Sequence, residues 1–408
     1  MRPERDGLER RRPRPLSLWR RLPNTSFGIG MGLAGQAVLW KAFATSGLIH
    51  DIPFSKLPGV NPGTGGLVFW TASLLISALL LLFYILKMIF HWPLVLDELR
   101  DGSRVHFSNM PHLILLLLTI GVPEELYPFL SSSSSIIPHA VGRQVCYGIA
   151  LASQLIATSM IYESWMFSAN ASNTIGCAQP QFLLSTIGWF LLAVLGSMLD
   201  VEERWGLALP SFCLGIGLVT YMMVVISIFY RIHETPRVRG SPALFLLIAP
   251  PSMGTVAWDL IAAQQQRTAA EDADGAGGMS MGAQLLFGWC LGLVLLLFRL
   301  GPSITKGPPV LGIYWAYVFP LAALATAAVR YASATGTMAS KILASGCILV
   351  SVFALAVVYV RMYYHAYMVV CGREQWGDPL IFARAAEGEQ EEPSSVPKAK
   401  GVKKDLVQ

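Results

Sequence analysis

Apolar residues in this chain gather in ten blocks separated by short polar stretches. Each block predicts a membrane-spanning helix, because one crossing takes about 20 mostly apolar residues. The blocks run over residues 26–43, 65–90, 110–122, 137–161, 180–199, 207–230, 242–262, 283–300, 310–331 and 339–364. The third is short, and the fourth carries Arg143.

Odd and even blocks differ in kind. Pro111 stands at the start of the third, Pro180 at the start of the fifth, Pro250-Pro251 in the seventh and Pro320 in the ninth. The first has no proline but carries Gly28, Gly30, Gly32 and Gly35. The even blocks are smoother, with exceptions at Pro138 and Pro210. This alternation predicts an all-α membrane protein of ten transmembrane helices paired as five helical hairpins. Kinked odd helices surround a central pore and even helices lie outside. The plainer alternative is that glycine and proline are simply commoner in membrane helices.

The ninth block concentrates the signal. Gly312-Ile313-Tyr314-Trp315-Ala316-Tyr317-Val318-Phe319-Pro320-Leu321 leads through an alanine-rich turn to Arg330. Proline removes a backbone donor and frees a carbonyl one turn earlier, which lipid does not satisfy. A break, a ring and a cation on one segment point to a pore or a transport site.

Composition agrees with a polytopic membrane protein: 54% of the 408 residues are hydrophobic, 13% are charged, and mean hydropathy is +0.52. A soluble protein carries about 25% charged residues. The net charge of +5 is unevenly placed. Arg2, Arg5, Arg10, Arg11, Arg12, Arg14, Arg20 and Arg21 crowd one end; Lys398, Lys400, Lys403 and Lys404 crowd the other. Basic flanks stay in the cytosol, so both termini are predicted there, consistent with the even span count. Arg100, Arg104, Arg231, Arg237, Arg239 and Lys306 then fall in cytosolic loops, and Glu271, Asp272 and Asp274 outside. A membrane core directly behind the arginines argues against nucleic acid as their partner.

Residues 1–23 read as a basic cytosolic tail, 24–366 as the ten-helix domain, and 367–408 as a mostly disordered cytosolic tail. No cleavable signal peptide is expected. Asn170-Ala171-Ser172 is a glycosylation sequon in a loop predicted cytosolic, where it stays unmodified. Six scattered cysteines form no CxxC pair, so no metal site or disulfide framework is indicated. Seven histidines form no HxxH or HxxxH box, and no GxxxxGK appears. No cofactor and no enzyme activity is expected.

The run Ser26–Trp40, the run Tyr84–Phe90, Arg104-Val105-His106-Phe107 with Pro111, Ala249-Pro250-Pro251-Ser252 with Ala257-Trp258, and Tyr314–Tyr331 together resemble the slow-type anion channels of plants. That family shares a wider group with bacterial tellurite-resistance proteins and fungal malate and sulfite exporters. The resemblance covers most of residues 24–364 and is strongest in the first, second, seventh and ninth helices. It implies a plasma-membrane homotrimer in the lipid bilayer, each protomer with its own pore. It also implies a phenylalanine in the ninth helix that occludes the passage, matched here by Phe319 before Pro320. A second pore phenylalanine is matched by Phe190, although Trp189 stands where the family has asparagine.

Two readings of each site residue remain open on the sequence. Phe319 is a dewetting plug or an ordinary packing ring. Arg330 lies eleven residues on, close to three helical turns, and so shares its face. It either raises the anion concentration at a mouth or snorkels to the interface. Arg143 and Asp259 fall at a similar predicted depth, and Asp259 is expected to pair with Arg330 or Arg143. Gly28, Gly32, Pro111, Pro180, Pro250 and Pro251 are the predicted kinks. The chain therefore reads as a passive channel for chloride, nitrate or small organic anions such as malate. The alternative is a malate- or sulfite-type carrier of the same group, with Asp259 as its intramembrane carboxylate. Ser17, Ser394 and Ser395 offer a regulatory kinase targets in the tails.

Overall fold

A computed structural model describes residues 24–48, 61–100, 105–127, 139–166, 178–199, 203–234, 242–269, 278–304 and 311–370. Both tails up to those limits, residues 131–135, Pro138, Asn170, Arg104, Arg237, Arg239, Glu271, Asp272, Asp274 and Lys306 lie outside the described residues.

The helices are α1 (Phe27–Thr45), α2 (Pro62–Phe90), α3 (Trp92–Arg100), α4 (Met110–Ile120), α5 (His139–Met166), α6 (Leu183–Gly196), α7 (Glu203–Glu234), α8 (Ala249–Ala269), α9 (Met281–Ile304), α10 (Leu311–Thr335) and α11 (Met338–Val370). No strand occurs among the described residues. Short 3-10 turns lead into α1, α4, α6 and α8.

Among the described residues, seven stretches are long and apolar enough to cross a membrane: Pro62–Phe90, Ala140–Glu163, Gly206–Glu234, Ala243–Arg267, Met281–Arg299, Tyr317–Thr335 and Met338–Tyr364. The third and fifth predicted blocks form shorter apolar helices even with their 3-10 leads, over Val105–Ile120 and Pro180–Gly196. The chain is an integral membrane protein by these seven helices.

Burial separates the helices into two sets. In the most apolar window of α2 only 17% of residues are buried, against 78% for the stretch ending in α8 and 72% for that in α10. All of α6 is buried. A helix that is apolar on every side must be surrounded by protein or lipid. Here α2, α5, α7, α9 and α11 present leucine, isoleucine, valine and phenylalanine outward. Each of α1, α4, α6, α8 and α10 packs on the next, and α10 packs back on α1. The outward-facing helices pack behind them: α2 on α1, α5 on α4 and α6, α7 on α6 and α8, α9 on α8, and α11 on α10.

Local chemistry sets these boundaries. The α10–α11 turn is tight because Gly336 adopts φ +65°, a left-handed position that closes a helix without a Cβ clash. Its N–H donates to Ala332 O at 2.9 Å. Thr337 then starts α11 by accepting the Ser340 N–H at its hydroxyl, 3.2 Å. Between layers, Ser73 Oγ donates to Gly30 O at 2.8 Å, and Gln36 Nε2 to Ser351 Oγ at 2.8 Å. Both bonds tie an inner helix to its outer neighbour where small residues let backbones approach.

Helix α1 runs continuously through Gly28 and Gly32, and α10 through Pro320, while the seventh block changes from 3-10 to α-helix at Ala249, next to Pro250 and Pro251. Pro111, Pro250 and Pro251 sit in the first turn of α4 or α8, and Pro180 opens a 3-10 turn. First-turn N–H groups have no intrahelical partner, so proline costs little there. Helix α11 continues to Val370, four residues beyond 366.

Candidate functional site

A cavity of about 40 Å³ lies where all five inner helices begin. Gly28 and Met31 reach it from α1, Met110 from α4 and Leu184 from α6. Leu246 reaches it from the 3-10 lead of α8, and Trp315 and Phe319 from α10. Every inner element contributes its N-terminal part, so the five run parallel. Their partial positive ends gather around one chamber. The walls are almost wholly apolar, and an apolar void of this size stays dry.

Phe319 lines that chamber one turn beyond Trp315 and is only 2% exposed. Its ring is seated on α1: a Cβ built on Gly35 would stand 2.9 Å from ring carbon Cδ2. One turn earlier, Trp315 lies on Gly32 in the same way, at 2.8 Å. Gly32 and Gly35 form a groove on α1 that receives these two aromatic side chains of α10. Pro320 is buried directly behind the ring.

Phe190 does not reach the chamber. It is fully buried, with its ring wedged against Gly217 of α7 and Gly254 of α8, where added Cβ atoms would come within 3.2 and 2.8 Å. Tyr221 meets it edge-on at 6.4 Å. Phe319 lines the chamber and Phe190 is not among its lining residues.

Of the two partners expected for Asp259, the structure places Arg330 beside it. Arg330 Nη1 lies 3.7 Å from Asp259 Oδ2, joining α10 to α8 away from the chamber. Arg143 belongs to a different cluster. Its Nη2 donates to the Tyr127 hydroxyl at 2.9 Å and its Nη1 to Met198 O at 3.5 Å. Lys41 joins it there, donating from Nζ to the same hydroxyl at 3.0 Å and to Ile120 O at 2.9 Å. Sequence reasoning passed over Lys41, although a lysine near the end of an apolar span was a visible signal.

Two further polar features were missed. Lys87, near the end of α2, is 2% exposed and bonds Glu98 of α3 at 2.5 Å. That contact docks α3 against the end of α2. His112 Nε2 meets Gln154 Oε1 at 2.6 Å, and Gln154 Nε2 bonds Ser185 O, linking α4, α5 and α6. Neither pairing is signalled by spacing, because each joins residues on different helices.

Residues 21–363 match the SLAC1 family, described as voltage-dependent anion channels. The chain belongs to this family. Similar proteins are S-type anion channels of Arabidopsis thaliana. SLAH2 is 27% identical over 373 residues, covering 90% of this chain and 63% of that protein. SLAH3 is 26% identical, covering 83% and 47%. The guard cell channel SLAC1 is 26% identical, covering 85% and 56%. The chain thus spans about half to two thirds of the length of these SLAC1-family relatives.

Proposed function

We propose that this chain is a passive anion channel whose conduction path runs among α1, α4, α6, α8 and α10 and is shut by Phe319. The observation that carries this reading is the position of the Phe319 ring. It lines an apolar cavity to which all five inner helices contribute. A narrow apolar constriction stops ions by dewetting, and conduction needs weak sites instead of strong binding charges. Partial positive helix ends around the chamber supply weak attraction for anions.

In this reading the ten blocks are ten spans in five hairpins, the two short inner helices being sheltered from lipid by their neighbours. The permeant ions are chloride, nitrate or small organic anions such as malate. The names of the similar proteins support an anion as the cargo. Three pores assemble as a homotrimer in the plasma membrane, with both tails in the cytosol and open to a kinase. Arg330, with Asp259 beside it, tunes the end of the path remote from the chamber. Pro320 fixes the helix behind the plug.

The proton-coupled carrier reading asks for an unengaged intramembrane carboxylate. Asp259 has Arg330 for a partner, which favours the channel. Purified protein in liposomes tests the proposal: Phe319→Ala should raise anion flux well above wild type. Flux that stays at the wild-type level removes Phe319 as the plug.

A further inference from the structure

The ends of the inner helices opposite the chamber hold a cluster that conduction through the Phe319 constriction does not use. Ile120 is the last residue of α4, and Met198 lies just beyond α6. Helix C-termini carry partial negative charge and attract cations. Lys41 bonds the first carbonyl and Arg143 the second. That accounts for one contact of each cation.

It does not account for their convergence. Both side chains donate to the single hydroxyl of Tyr127, and both lie 5.6 Å from the centre of its ring. Two like charges are therefore held as close neighbours by one neutral acceptor. Among the described residues neither forms an ion pair. Glu124, which is exposed, is near enough to act on Lys41 without bonding it. Donor capacity is left over: an ammonium has three protons and Lys41 directs two contacts, while Arg143 Nε is buried with no acceptor. Half-buried like charges repel, and a monovalent anion between them relieves both the repulsion and the unmet donors.

We propose that Lys41 and Arg143, held together by Tyr127, form a binding site for one small inorganic monovalent anion of chloride or nitrate type. The site lies off the chamber, between α1, α4 and the start of α5, and does not rest on Phe319 being a gate. Occupancy would fasten the far ends of α1, α4 and α6 to one another, so the anion that is carried would also brace the helices around its path.

The test is thermal unfolding of the purified full chain in detergent, with gluconate replaced by chloride or nitrate at constant ionic strength. Wild type should be stabilised in a saturable manner. Lys41→Gln and Arg143→Gln should each raise the half-saturating concentration about tenfold, as loss of one charge-assisted hydrogen bond implies, and the double variant should lose the response. Lys41→Arg should keep it, as should Phe319→Ala, whatever that variant does to flux. Bromide should give anomalous scattering beside Arg143 in wild-type crystals, which keeps the question open to test if the variants fail to fold. Absence of any anion response in wild type overturns the proposal. So does a double variant destabilised equally in gluconate and chloride, which would leave the cations as helix caps only. Stabilisation by phosphatidylglycerol with no response to chloride or nitrate would assign the site to a lipid phosphate and overturn it as well.

Discussion

The Phe319 ring rests on the backbone of Gly35: a methyl at position 35 would stand 2.9 Å from ring Cδ2 and 3.6 Å from the Phe319 Cα. Helix α1 thus supplies the seat and α10 the ring. Gly35→Ala should push the ring off its seat. Overpacking costs about 1–3 kcal/mol, enough to shift a closed population about tenfold. Liposome flux should rise in Gly35→Ala, and Gly35→Ala combined with Phe319→Ala should conduct no more than Phe319→Ala alone. A fully additive pair would show that the two residues act separately.

Phe190 gives the contrasting prediction. Its ring fills a notch formed by Gly217, Gly254 and Tyr221, away from the chamber. Phe190→Ala should lower the unfolding temperature, with a cavity cost of about 3–5 kcal/mol, and leave basal anion flux near wild type. A large increase in flux with little loss of stability would restore Phe190 as a second plug.

The Lys87–Glu98 pair is buried at 2% and 11% side-chain exposure. Removing one partner strands the other charge, at a cost of about 3–5 kcal/mol. Lys87→Met should therefore lower the unfolding temperature strongly, and Lys87→Met with Glu98→Leu should recover most of the loss. Limited proteolysis near α3 would report undocking in the single variant.

Arg330 and Asp259 are 38% and 18% exposed and meet at only 3.7 Å. A pair of this kind contributes about 0–1 kcal/mol to stability. The effect of altering it should appear in conduction. Arg330→Gln should reduce anion current several-fold at low salt and less at high salt, because salt screens the attraction. Asp259→Asn should increase current. Equal currents from all three proteins would remove the pair from the permeation path.

Blocks of apolar residues located the helices because lipid and a protein interior both demand them, and the family resemblance singled out Phe319, which lines the chamber. The role of glycine in α1 was not legible. Gly32 and Gly35 seat Trp315 and Phe319, about 280 residues away, and nothing in the local spacing shows it. Pro250 and Pro251 mark the point where the seventh block passes from a 3-10 to an α-helix, a change of helix type that proline spacing alone does not specify. Lys41, Arg143 and Tyr127 converge through three separate segments, and no spacing rule joins them. Charge near the end of a span says only that a partner is needed. The fold decides which partner is reached.

The common direction of α1, α4, α6, α8 and α10 has a consequence for current. In transporters built from inverted repeats, helices entering from opposite sides oppose one another's dipoles. Five aligned dipoles add instead, so the passage has an electrical front and back even before any ionised side chain is considered. Such a conduit behaves as a diode in miniature: with the plug removed and identical solutions on both sides, it should carry ions more readily one way than the other.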